Sequence, residues 1–95
     1  MISSEEIIIR QFELIDNESD ALAYVKASHK ESTFTDYFVK SSNNDIIFIV
    51  VHDIKNLVGE THIYAFHRVK GMCIIAKYTY ADNKKVMEQI KKILK

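Results

Sequence analysis

Six consecutive apolar residues, Ile46-Ile-Phe-Ile-Val-Val51, lie between Asp45 and His52 and constrain the fold more than any other stretch. All of them except Phe48 are β-branched, which suits a pleated strand. A strand points alternate side chains to opposite faces, so a strand apolar at every position needs cover on both. The run is far shorter than the roughly eighteen apolar residues of a membrane-spanning helix, so no membrane association is expected. A chain of 95 residues holds one such central strand, its neighbours and a few helices, so a single domain over 1–95 is expected.

Composition removes several function classes. Hydrophobic residues make up 47% and charged residues 27%, which suits a folded chain and argues against extensive disorder. Thirteen basic residues balance thirteen acidic ones, so a strong electrostatic grip on nucleic acid is not expected. The neutral sum hides an asymmetry: residues 1–20 carry six acids and one base, whereas residues 81–95 carry five lysines and two acids. No aromatic is interleaved with Lys84, Lys85, Lys91 and Lys92 for base stacking. The lone Cys73 excludes an internal disulfide and any multi-cysteine zinc site. Met1-Ile-Ser-Ser-Glu-Glu6 lacks a basic signal region, so a cytoplasmic location is the expectation. Fourteen isoleucines and eleven lysines, with Gly, Pro and Arg scarce, point to an AT-rich source such as a virus, phage, parasite or low-GC bacterium.

Residues 3–16 read two ways. Ser3 and Glu6 fit a capping box, and Ile8, Phe12 and Ile15 share a helical face. The β-branched Ile7-Ile8-Ile9 run suits a strand instead. The helical reading is favoured. A second helix over 18–31 follows a cap at Asn17–Asp20, with Ala21, Leu22, Val25 and His29 on one face. Strands are predicted at Thr33–Lys40, Asp45–His52, Thr61–Val69 and Met72–Tyr80, with a turn at Ser41–Asn44. Asp82 caps a last helix over 83–94, whose Val86, Met87, Ile90, Ile93 and Leu94 form an apolar stripe. The predicted class is α+β: a four-stranded antiparallel meander with helices packed on one face, order α-α-β-β-β-β-α. The alternative order is β-α-β-β-β-β-α.

The last hairpin fixes which residues share a face. A three-residue loop Val69-Lys70-Gly71 with a left-handed Gly71 is the easier chemistry. It puts Tyr64, Phe66, Met72, Ile74, Ala76, Tyr78 and Tyr80 on the face under the helices. Ile63, Ala65, His67, Cys73, Ile75 and Lys77 then share the other face, and a slip of one residue exchanges the sets.

Two classes of site are expected. The first is protein binding without catalysis, by an adaptor, immunity or inhibitor-type module that docks on another protein or a second copy. Its contacts are Leu57 and Val58 in an apolar 53–60 loop, with Ile63, Ala65, His67, Ile75 and Lys77 on the helix-free sheet face; no cofactor is expected. The second is a metal-dependent or His-based hydrolytic site in which His52, Asp53, Glu60 and His62 gather at the base of that loop. His29 has no ligand at i+4 on its own helix, and a Cys73–His67 pair lacks a visible third member. The tail Lys77-Tyr-Thr-Tyr-Ala-Asp-Asn83, running into a Val86-Met-x-x-Ile-x-x-Ile-Leu94 helix, resembles small α+β sheets closed by a C-terminal helix. Profilin-like and PsbP-like domains are examples. The resemblance covers a third of the chain and implies architecture only.

Overall fold

The computed structural model describes residues 5–11, 15, 17–30, 34–42, 45–55, 58–79 and 82–94. In chain order the elements are β1 (Glu5–Gln11), α1 (Glu18–Ser28), β2 (Phe34–Ser42), β3 (Ile46–Lys55), β4 (Val58–His67), β5 (Met72–Tyr78) and α2 (Asn83–Leu94). They form a small α+β fold: one antiparallel sheet of order β1-β5-β4-β3-β2 and two helices. The order along the chain is therefore β-α-β-β-β-β-α. Four strands, β2 to β5, form the expected meander, and β1 adds a fifth beside β5.

The expected N-terminal helix is a strand. Ile7, Ile8 and Ile9 pair with Ala76, Ile75 and Ile74 of β5. Their β-branched side chains favour the ladder over the helical periodicity that Ile8, Phe12 and Ile15 suggest. Phe12 and residues 13–14 lie outside the described residues.

The placement of both helices on one face is also corrected. Ala21 and Val25 of α1 pack on Ile47, Ile49, Val51, Tyr64, Phe66 and Cys73. Val86, Ile90 and Leu94 of α2 pack on Ile46, Phe48, Val50, Ile63, Ala65, Ile74, Ala76 and Tyr78. Alternate residues of one strand thus serve two cores, and the helices cover opposite faces. The all-apolar β3 requires this arrangement: Ile46 to Val51 are all buried. Full burial of each such side chain contributes about 1.5–3 kcal/mol, which a single covered face would forfeit at every second position.

The helix boundaries follow their caps. Asn17 Oδ1 accepts the Asp20 amide at 2.8 Å, and Asp82 Oδ1 accepts the Lys84 amide at 2.9 Å. Each satisfies a backbone donor that the first turn leaves open. At the other end of α2 the Lys70 ammonium donates to the Leu94 carbonyl.

The β4–β5 connection is one residue longer than expected. His67 pairs with Met72, so the loop is Arg68-Val69-Lys70-Gly71. Gly71 is left-handed, φ 63°, as anticipated. The extra residue has a local cause: His67 Nδ1 accepts both the Val69 and the Lys70 amides at 3.2 Å. The one-residue slip exchanges strand partners between the two predicted faces. Ile63, Ala65, His67, Met72, Ile74 and Ala76 lie on the α2 side; Tyr64, Phe66, Cys73, Ile75 and Lys77 lie on the α1 side.

The loop expected at 53–60 is mostly ladder. β3 and β4 pair through Asp53↔Glu60, Ile54↔Gly59 and Lys55↔Val58. Only 56–57 separate the strands, so Leu57 lies outside the described residues, as does the side chain of Val58. The Ser41–Asn44 turn shortens likewise, because Ser41 and Ser42 pair with Ile47 and Ile46.

Candidate functional site

The C-terminal end of α1 lies over polar positions of the sheet. Ala21, Val25 and His29 recur every four residues, so His29 continues the buried stripe just past the last helical turn. On the same sheet face the ladder places Asp53 opposite Glu60 and Thr35, and His62 opposite Lys77. Antiparallel pairing brings these side chains together because directly opposed residues share a face.

His29 is the hub. It is 8% exposed, and Asp53 beside it is 2% exposed. His29 Nδ1 stands 3.4 Å from Asp53 Oδ2, and Nε2 stands 2.7 Å from the Tyr64 hydroxyl. The His62 ring meets His29 edge to face, with centroids 4.8 Å apart. Toward solvent, His62 Nε2 lies 3.5 Å from Glu60 Oε2, which also pairs with Lys77 Nζ at 3.1 Å. One ligating atom from each of His29, Asp53 and His62 lies within 4.8 Å of the other two. Thr35 keeps a buried hydroxyl with no hydrogen-bond partner among the described residues.

Protonation favours ligand chemistry. Burial, and then the neighbouring His29, hold the His62 imidazole below its ordinary value of 6.5, so the neutral form dominates at neutral pH. Burial, then nearby Tyr24, push the Tyr64 phenol up to about 12, so it stays an O–H donor. Two arrangements satisfy the centre. In one, Tyr64 O–H donates to His29 Nε2, and His29 Nδ1–H donates to Asp53. In the other, Nε2–H donates to the Tyr64 oxygen, and the bare Nδ1 shares a cation with Asp53.

The residues expected from sequence are thus partly assembled. Asp53, Glu60 and His62 meet on one face. His52 does not join them: it points to the α2 side, with Nδ1 3.2 Å from Thr61 Oγ1 and its ring 5.5 Å from that of Phe38. There it borders a 210 Å³ cleft lined by Phe38, Lys40, Val50, His52 and Asn83. Odd and even neighbours on one strand cannot share a site on one face, and His29 from α1 stands in the place expected for His52. The sequence signal for His29 was its place on an apolar helical stripe.

The expected docking face does not exist as one surface. Ile63 and Ala65 are fully buried under α2. His67 is half-buried on that side and holds loop amides, while Ile75 and Lys77 lie on the opposite side with α1. The Cys73–His67 pair is divided in the same way: Cys73 is buried on the α1 side, opposite Phe66. No protein-family model, curated protein or solved structure matches the chain.

Proposed function

We propose that this protein binds a divalent transition metal of the zinc type through His29, Asp53 and His62. The convergence of three ligating atoms within 4.8 Å, from the C-cap of α1, from β3 and from β4, carries the reading. Two imidazoles and one carboxylate form a ligand set that suits zinc and leaves a further position for water. Ligands held tetrahedrally at about 2.0–2.1 Å from zinc stand about 3.3–3.4 Å apart. The 3.4 Å between His29 Nδ1 and Asp53 Oδ2 matches that edge and is long for an N–H···O hydrogen bond. Tyr64 would orient His29, and Glu60, bridged to Lys77, would orient His62 from the rim.

Equilibrium dialysis of chelator-stripped protein against zinc tests this. One zinc per chain is expected for the wild type and His52→Gln, and little for His62→Gln. No bound zinc in the wild type, or equal binding by His62→Gln, refutes it. A second reading, a protein-binding module, is favoured by one specific observation: Ile7, Ile8 and Ile9 of β1 are 40%, 36% and 52% exposed.

A further inference from the structure

β1 ends the sheet. Its neighbour is β5, and among the described residues no strand pairs with its other side. An open edge of this kind is a template for another strand. The apolar surface lies on both sides of the edge: Ile8 is opposite Ile75 on the α1 face, and Ile7 and Ile9 are opposite Ala76 and Ile74 on the α2 face. Ile93 of α2 is also exposed, at 40%, and lies about 160° round the helix from Lys91, which stands over Phe48 of β3 at 6.0 Å. The opposite edge, β2, carries exposed Asp36 and Lys40 on either side of an exposed Phe38.

We propose that a second copy of this chain covers β1, pairing antiparallel with it about a two-fold axis at Ile8 so that one sheet runs through both copies. The inference rests on the protein-binding reading above and is independent of the metal site. Charge and hydropathy name the occupant. A two-fold axis perpendicular to a continuous sheet keeps each face on its own side, so residues of like parity must meet. Centring on Ile8 is the like-parity register that opposes residues of unlike charge in β1. It sets Glu6 against Arg10 twice, Ile7 against Ile9 twice, Ile8 against itself and Glu5 against Gln11. Opposite charges directly across an antiparallel pair stabilise it, and like charges oppose it.

Sedimentation velocity across a concentration series tests both the edge and the register. The wild type is expected to dimerise. Glu6→Arg and Arg10→Glu each set like charges opposite one another twice, which should raise the dimer dissociation constant on the order of tenfold or more. The double variant Glu6→Arg/Arg10→Glu should recover the dimer. Ile9→Lys should abolish it with the melting temperature of the monomer retained, which keeps the test valid if a charge variant folds poorly. A dimer indifferent to all these changes overturns the β1 edge while leaving the protein-binding reading standing. A wild type that stays monomeric overturns the second copy as occupant. Failure of the broader reading is read separately, from pull-downs in which wild-type and Ile9→Lys baits capture nothing different.

Discussion

Asp53→Asn separates the metal account from a purely structural one. The amide keeps the shape of the carboxylate and one acceptor oxygen for His29 Nδ1–H, but loses the charge. Without metal, the exchange weakens, among the contacts of Asp53, the 3.4 Å one to His29. A typical intramolecular hydrogen bond contributes about 0.5–1.5 kcal/mol, so this contact accounts for about 1 kcal/mol. In a domain of this size that lowers the melting temperature by about 4–8 °C. Zinc acts on a larger scale. At a free concentration one hundred times its dissociation constant, a ligand selective for the native state adds about 2.7 kcal/mol, which raises the melting temperature by about 10–20 °C. Thermal melts of chelator-stripped protein, with and without zinc, should therefore show a large rise in the wild type. Asp53→Asn should show a small metal-free loss and almost no rise at the same free zinc. His52→Gln should rise like the wild type, because His52 lies on the other face. An Asp53→Asn protein that gains as much from zinc as the wild type refutes the argument.

Three further outcomes follow from the same geometry. The His62 imidazole titrates below 6.5 in the folded metal-free protein, so the unfolded chain binds more protons over that interval. Stability should fall as pH drops from 6.5 toward the folded value, and chemical denaturation of wild type against His62→Gln at stepped pH should show a smaller acid loss in the variant. Ile90 of α2 is fully buried against the sheet whereas Ile93 is 40% exposed; Ile90→Ala should cost about 2–5 kcal/mol and Ile93→Ala well under half of that by urea unfolding. Gly71 sits at φ 63°, so Gly71→Ala should destabilise by about 1–2 kcal/mol, measured the same way, while an equal or greater stability would show that the loop does not hold that conformation.

Much of the architecture was legible where one residue type had one physical use. The caps at Asn17 and Asp82 and the stripe of α2 are local signals, and they stand where the sequence places them. The unbroken run Ile46–Val51 implied cover on both faces, which a sheet with helices on one side could not supply. The misread elements are those that tertiary contacts decide. Ile7 to Ile9 carry both helical and strand signals, and pairing with β5 selects the strand. The β4–β5 register depends on His67 accepting two loop amides, a contact that propensity does not encode. The site shows the same division. Asp53, Glu60 and His62 were visible as a local group, since ladder partners sit at predictable separations along a hairpin. His29 arrives from a different element, and spacing along its own helix gives no hint of a partner 24 positions away.

A crystal of the protein soaked with zinc and measured on both sides of the zinc absorption edge tests the central claim most directly. One anomalous peak per chain is expected between His29 Nδ1, the Asp53 carboxylate and His62, with Tyr64 still hydrogen-bonded to His29 Nε2. A site without that peak, with zinc bound only at other histidines such as His52 or His67, would contradict it.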